Sequence, residues 1–128
     1  MKKLTPVLVV DAIEPCLSFW IDRLGFKKVA SVPEEGPLDF VILSHGNVEI
    51  MYQTKASVAA DVPAAVAGPL TPSTFLYIEV EELDPILEAL RGIEPVVPLR
   101  NTFYGAREFG VREPAGNCVT FAEFKSAK

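Results

Sequence analysis

Hydrophobic positions along the chain follow two periods, and each period predicts a different kind of element. Apolar residues that alternate with polar ones, or that form short unbroken runs, predict β-strands. Apolar residues that recur every three or four positions predict helices with one buried face. The strand pattern occurs at residues 6–10, 27–32, 40–43, 48–52, 75–80, 96–97, 108–112 and 118–124, and the helical pattern at Ile13, Leu17, Trp20, Ile21 and Leu24 and again at Leu83, Ile86, Leu87 and Leu90.

Local chemistry marks the ends of both predicted helices. Asp11 and Glu14 have the spacing of a capping box, which predicts that the first helix begins at Asp11. Asp84 followed by proline is typical of the first turn of a helix. Gly25 and Gly92 follow the last apolar position of each helical pattern, where glycine commonly ends a helix.

The order of the predicted elements occurs twice. A strand, a helix and then several strands are followed by the same series, and residues 10–15 align without a gap to residues 80–85. A period near 70 residues indicates a duplication inside one domain. We therefore expect a single domain over residues 1–128, with module one at about 1–54 and module two at about 74–126. Residues 55–73, rich in alanine, valine and proline, are predicted to be a connector, with room for a short helix within 58–67.

Composition and charge narrow the possible partners. The chain has 128 residues, 49% of them hydrophobic, and a mean hydropathy of +0.26, which predicts a compact globular protein. Its 12 basic and 17 acidic residues give a net charge of −5. Nucleic-acid binding depends on Lys and Arg that neutralise phosphates, so we expect no nucleic-acid partner. An acidic surface favours cationic small ligands instead.

The cysteines and the N-terminal residues bear on location. Cys16 falls in a predicted helix and Cys118 in a predicted strand, and neither belongs to a Cys-x-x-Cys pair. We expect two buried thiols in a reducing compartment rather than a disulfide. The apolar run before Asp11 is too short for a signal-peptide core or a membrane span. The sequence therefore predicts a cytoplasmic protein with no membrane partner.

Three short motifs are more specific than these patterns. Residues 104–109 read Tyr-Gly-Ala-Arg-Glu-Phe, residues 113–117 read Glu-Pro-Ala-Gly-Asn, and residues 19–26 read Phe-Trp-Ile-Asp-Arg-Leu-Gly-Phe. On pattern alone, the first two predict a β-hairpin with a tight turn. With these motifs the chain resembles the glyoxalase / bleomycin-resistance / dioxygenase superfamily, which has the vicinal oxygen chelate fold, and it is most similar to the bleomycin-resistance branch.

The resemblance implies the fold class and the assembly. It implies an α+β protein in which two βαβββ modules form a curved mixed sheet around a cavity. It also implies a homodimer, an assembly that allows the partner chain to complete each cavity.

The resemblance also implies where a metal would bind. Metal-using members place ligands on the first and last strands of each module, and these positions fall on Thr5, Phe75, Glu49 and Thr120. Glu49 is the only one of the four with a plausible ligating group. His45, the only histidine, is predicted to be an exposed turn residue. We therefore expect no metal site and no other cofactor.

Without a metal, the resemblance implies a groove in which two aromatic side chains sandwich a planar compound. The matching positions are Phe40 and Tyr104. Phe40 is equally compatible with an ordinary core position. Trp20, on the apolar stripe of its helix, is predicted to be a core residue.

Further candidate ligand contacts lie near these positions. The acidic residues Asp39 and Glu108, together with Asp61, are expected to attract a cationic ligand. Arg107 either anchors an anionic group or forms a surface ion pair with Glu108 or Glu113. Phe109 either lines the cavity or fills the core.

Three functions remain open at this point. The first is a metal-free small-molecule binding protein that sequesters a planar or cationic ligand and confers antibiotic resistance. The second is a metal-dependent lyase, isomerase or dioxygenase of the same superfamily. The third is a binding module without a resistance role, such as a metabolite carrier, and the sequence does not separate it from the first.

Overall fold

The computed structural model describes residues 2–66, 68–69 and 71–125. These residues form two compact units, 1–71 and 72–128. The first unit contains β1 (Val7–Val10), α1 (Glu14–Leu17), a π-helical segment (Ser18–Arg23), β2 (Lys27–Val32), β3 (Phe40–His45), β4 (Val48–Thr54), α2 (Lys55–Asp61) and a 3₁₀ turn (Pro63–Val66). The second contains β5 (Phe75–Glu79), α3 (Asp84–Ala89), β6 (Pro95–Asn101), β7 (Ala106–Arg112) and β8 (Cys118–Phe124).

Both units have the same sheet topology. The strand orders are β1-β4-β3-β2 and β5-β8-β7-β6, with the first strand of each unit parallel to the last and the other pairs antiparallel. Each unit is a βαβββ module with a four-stranded mixed sheet. The predicted α+β class and the duplication are therefore confirmed. The division of residues 1–128 into one domain with a separate connector stays a prediction.

One face of the first sheet packs against its helix. Trp20 is fully buried, and its indole N–H donates to the Tyr52 hydroxyl at 2.9 Å. This hydrogen bond satisfies the polar atoms of two large side chains inside an apolar core. The prediction that Trp20 is a core residue is confirmed. Other fully buried residues of this unit include Ile13, Val41 and Leu43.

The first helix begins differently from the sequence-based expectation. Ile13 is the N-cap residue, and no side chain caps the helix. Glu14, the expected partner in a capping box, instead accepts a hydrogen bond from the Leu38 backbone N–H at 2.7 Å. This hydrogen bond to the segment between β2 and β3 thus replaces the capping-box hydrogen bond that the sequence predicts at the start of the helix. Sequence spacing alone could not reveal this alternative, because it joins residues 24 positions apart.

The segment predicted to be a connector begins with a helix. Thr54 caps α2 by accepting a hydrogen bond from the Ser57 backbone N–H at 3.1 Å. The helix therefore starts three residues before the range in which the sequence left room for one. Ala67, the end of that range, and Leu70 lie outside the described residues.

The turn between β7 and β8 is fixed by a buried carboxylate. Glu113, only 2% exposed, accepts from the backbone N–H of Asn117 at 2.7 Å and from its side-chain amide at 3.1 Å. The Asn117 side-chain oxygen in turn accepts from the Thr74 backbone N–H at 3.3 Å. The Glu-Pro-Ala-Gly-Asn motif thus ties the closing hairpin to the residue before β5, and it serves structure rather than chemistry.

Two further findings concern location and redox chemistry. Cys16 and Cys118 are both buried thiols, as expected. No helix among the described residues has the length and apolarity needed to cross a membrane.

Candidate functional site

Strand alternation places a set of large polar and aromatic side chains on one face of the second sheet. Successive residues of a strand point to opposite faces, and paired residues share a face. Tyr77 on β5 pairs with Thr120 on β8, which pairs with Gly110 on β7. Glu108 lies two residues before Gly110 and therefore points to the same side. On the neighbouring strand β6, Glu108 pairs with Arg100.

Four hydrogen bonds converge on the carboxylate of Glu108. Its Oε2 accepts from the hydroxyls of Tyr77 and Tyr104, each at 2.5 Å. Its Oε1 accepts from Nε of Arg100 at 3.2 Å and from Nη2 at 3.1 Å. Glu108 is only 1% exposed. A buried carboxylate is costly unless it is paired and hydrogen-bonded, and these four contacts meet that requirement.

The contacts also set the protonation states. Burial raises the pKa of Glu108, but the hydrogen bonds from Tyr104, Tyr77 and Arg100, together with the Arg100 charge, outweigh burial and hold that pKa below its ordinary value. Burial, followed by the hydrogen bonds with Glu108 and Tyr104, raises the pKa of Tyr77. At neutral pH Glu108 is therefore an ionised carboxylate and Tyr77 a neutral phenol. Glu108 has its lone pairs engaged, so it is poorly suited to act as a general base.

Aromatic rings surround this polar cluster and remain exposed. Tyr77 is 53% and Tyr104 46% exposed, although both hydroxyls are fixed by Glu108. The Tyr104 ring lies 5.1 Å from the Phe103 ring and 6.4 Å from the Phe124 ring, measured between centroids. Phe103 and Phe75 are 100% and 80% exposed. Exposed aromatic residues gathered around a buried polar anchor are typical of a binding surface.

The turn before β7 also holds Tyr104 in position. Thr102 closes this turn, because its backbone N–H donates to the Ala106 carbonyl at 2.8 Å and its hydroxyl accepts from the Ala106 N–H at 3.0 Å. Gly105 has a φ of +89°, a conformation that side chains other than glycine rarely adopt. Tyr104 therefore sits on a well-defined turn.

Strand alternation separates two predicted ligand contacts from this cluster. Arg107 and Phe109 flank Glu108 and point to the opposite face, the one that carries the buried Phe121. Arg107 forms an ion pair with Asp84 at the start of α3, at 2.9 Å. Of the two expected behaviours, Arg107 shows ion pairing, but with neither of the expected acidic partners. Arg107 and Phe109 therefore lie on the face of the sheet opposite to Glu108, and their contact with a ligand stays a prediction.

Phe40 and Asp39 belong to the first unit. Phe40 is half-buried and is the first residue of β3, where alternation places it on the face opposite to the buried Val41 and Leu43. Its position is therefore not that of an ordinary core residue. Asp39 is exposed, and its backbone carbonyl accepts from the Thr54 N–H at 2.9 Å. Contact of Phe40 and Asp39 with a ligand stays a prediction.

The positions matched to family metal ligands are poorly equipped to hold a cation. Glu49 accepts from the Thr5 hydroxyl at 3.4 Å and forms an ion pair with Lys3 at 2.9 Å, so an ammonium group already neutralises this carboxylate. Phe75 and Thr120 offer no charged ligand. Among residues 2–66, 68–69 and 71–125, no three His, Cys, Asp or Glu side chains are grouped so that they could hold a metal ion. The residues present do not fit a family-type metal centre.

Of the four residues that meet at the Glu108 carboxylate, sequence reasoning found Glu108 and Tyr104. It missed Tyr77 and Arg100. The alternation Phe75-Leu76-Tyr77-Ile78-Glu79 was a usable signal, because it places every second residue on one face. Nothing in the sequence pairs Arg100 with Glu108. Two register shifts between β6 and β7 prevent a simple count of paired residues.

Comparisons with known proteins agree with this architecture. A model of the Glyoxalase/Bleomycin resistance protein/Dioxygenase superfamily matches residues 4–121. No curated protein sequence matches the chain. Among solved structures, TioX from Micromonospora sp. ML1 is similar with a TM-score of 0.80 and 19% identity, over 98% of this chain and 100% of the other.

Two further solved structures differ in what they are described as doing. The bleomycin-binding protein from bleomycin-producing Streptomyces verticillus, solved with copper(II)-bleomycin, is 28% identical, with a TM-score of 0.65 over 98% of both chains. A lactoylglutathione lyase from Agrobacterium tumefaciens is 17% identical, with a TM-score of 0.73 over 96% of this chain and 94% of the other. TioX and the lyase, at these identities, show likeness of fold alone.

Proposed function

The chain belongs to the Glyoxalase/Bleomycin resistance protein/Dioxygenase superfamily, and we propose that it is a metal-free binding protein that sequesters a planar or cationic small molecule. The observation that carries the proposal is the pair of half-exposed tyrosine rings whose hydroxyls meet on Glu108. A ring held by its hydroxyl offers its face to a ligand without having to be ordered on binding. Two such rings favour a flat aromatic ligand that can stack on them.

The similarity to a bleomycin-binding protein supports the same proposal. At 28% identity over 98% of both chains, it makes bleomycin-type compounds the first ligands to test. Tyr104 is the residue for which we propose direct stacking. A positive charge on the ligand has weaker support at this cluster, because Arg100 and two hydroxyls already compensate the charge of Glu108.

The assembly and location are part of the proposal. We propose a cytoplasmic homodimer, supported by the family resemblance and by two buried thiols, which suit a reducing compartment. Antibiotic resistance is the proposed role in the cell. A carrier of a cellular metabolite would need the same surface and would differ only in the compound it binds.

Binding of copper(II)-bleomycin tests the proposal directly. We expect measurable heat of binding in calorimetry for the native protein, and protection of cells that express it from bleomycin-type compounds. Replacing Tyr104 with Ala removes the stacking ring and should weaken binding by about tenfold or more. Replacing Tyr104 with Phe keeps the ring and serves as the matched control, with affinity within about threefold of the native value.

Two outcomes would change the proposal. An absence of both binding and protection would reject bleomycin-type ligands and favour the metabolite carrier. Equal losses in the Tyr104→Ala and Tyr104→Phe variants would show that the hydroxyl, and not the ring, is what the ligand requires.

A further inference from the structure

Arg100 offers more hydrogen-bond donors than its pairing with Glu108 uses. Its Nε and Nη2 donate to the same carboxylate oxygen, at 3.2 and 3.1 Å, and its side chain is 58% exposed. A guanidinium has five N–H donors in one plane. Three of them are therefore outside this contact, and two of these three lie on the edge formed by Nη1 and Nη2. That edge has the fork geometry that binds a carboxylate or phosphate through two parallel hydrogen bonds.

The buried carboxylate holds this edge in place. Because Glu108 is 1% exposed and engages two nitrogens of Arg100, the guanidinium plane is restrained before a ligand arrives. Where an arginine is not restrained in this way, ordering its long side chain is a large part of the free-energy cost of binding an anion. The negative charge of Glu108 also cancels the positive charge of Arg100. An anion bound to Arg100 would therefore depend on directed hydrogen bonds more than on net charge.

The other groups of the cluster do not compete for that role. The hydroxyl hydrogens of Tyr77 and Tyr104 are both donated to Glu108, so the tyrosines offer a ligand their ring faces and not a donor. The acidic residue Glu79 shares the face but lies on β5, at the far side of Ala122 from Glu108. An anionic group would thus meet Arg100 without facing that carboxylate.

We propose that the site selects planar aromatic acids, with the ring on the tyrosines and a carboxylate or phosphate on the outer edge of Arg100. This inference rests on the proposed stacking function and adds the sign of the ligand's charge. It differs from the sequence-based expectation, in which Glu108 was to attract a cation.

A pair of probes that differ in one charge tests the inference. Naphthalene-2-carboxylate and naphthalene-2-carboxamide have the same rings, so the ratio of their affinities for the full chain isolates the anionic group. We expect the native protein to prefer the carboxylate by about tenfold, within the range of charge-assisted hydrogen bonds. In Arg100→Gln the ratio should fall to about one, while both compounds still bind.

Arg112→Gln is the matched control. Arg112 lies on the same strand and face as Glu108, is exposed and donates to the Gly116 carbonyl, and its removal changes the net charge by the same amount. The preference should survive in this variant. If Arg100→Gln fails to unfold cooperatively, Arg100→Lys replaces it, because lysine keeps the charge but lacks the fork, and the preference should fall to about threefold or less.

Each contrary result would overturn a different part of the proposal. Equal affinity of the native protein for both probes would overturn the selection of acids and leave the stacking proposal intact. No binding of either probe would overturn both. A loss in Arg112→Gln as large as that in Arg100→Gln would show a general effect of net charge and would overturn the assignment to Arg100.

Discussion

Glu108 shows how much the surroundings of one side chain decide its chemistry. In the sequence it is an acidic residue beside an aromatic one, which suggests an attractive charge on a ligand surface. In the structure it is almost fully buried and accepts four hydrogen bonds, so its charge serves to orient other groups. In the proposed binding mode, the residues that face the ligand are the ones that Glu108 holds: Tyr77, Tyr104 and Arg100.

The lowered pKa of Glu108 makes stability depend on acid in a defined direction. A carboxyl group with a folded-state pKa below its unfolded value of about 4.3 contributes stability above that pH, and the contribution is lost as pH falls through the folded-state pKa. We expect Glu108→Gln to be less stable than the native protein at about pH 7, with a difference that shrinks on acidification. Denaturant unfolding across the acid range measures this. Glu35→Gln, which removes one carboxylate at an exposed position, is the charge-matched control. A constant difference for Glu108→Gln would contradict the assignment.

At the scale of elements, strand alternation sorts neighbouring residues into different roles. Arg107, Glu108 and Phe109 are consecutive, yet only Glu108 belongs to the tyrosine-bearing face. The closing motif, read as a string, presents all three as candidate ligand contacts. Alternation along β7 puts Glu108 on one face and its two neighbours on the other. Gly110, on the same face as Glu108, shows how closely that face is packed.

Gly110 is required because its neighbours leave no room for a side chain. A Cβ at this position would lie 2.8 Å from Thr120 Oγ1 and 3.1 Å from Val97 Cβ. We expect Gly110→Ala to destabilise the protein by about 1–3 kcal/mol, the usual cost of overpacking. Thermal and denaturant unfolding measure the loss. In a Thr120→Ala background the same substitution should cost less, and strictly additive effects would show that the clash is not the cause.

At the scale of the whole molecule, the family's metal positions hold no working set of ligands. Glu49 is paired with Lys3, and its counterpart in the second unit is Thr120. The two first-strand positions are occupied by Thr5 and Phe75. Superfamily membership alone would leave a metal-dependent lyase, isomerase or dioxygenase equally open. The side chains at these positions are what favour a binding protein.

Removal of metal should therefore leave the protein unchanged. We expect dialysis against a chelator to leave the unfolding temperature and the affinity for the naphthalene probes as they were. A metal whose free concentration is about 100 times its dissociation constant would stabilise the fold by about 2.7 kcal/mol. Its removal would lower the unfolding temperature by several degrees. Glu49→Gln is the companion variant and should also respond neither to chelator nor to added zinc or nickel. Recovery of one metal per chain, with such a drop in unfolding temperature, would restore the enzyme alternative.

The sequence by itself determined the superfamily and the α+β class through the short motifs that carry the family resemblance. It determined the duplication through the repeated order of hydrophobic patterns. It also placed Trp20 in the core and identified Tyr104 and Glu108 as residues of interest. The tertiary structure alone decided which residues meet. Tyr77 and Arg100 lie 31 and 8 positions from Glu108, on different strands, and the register that joins them is set by sheet packing. Local propensity carries no information on such pairings, since any register with the same alternation satisfies it equally well.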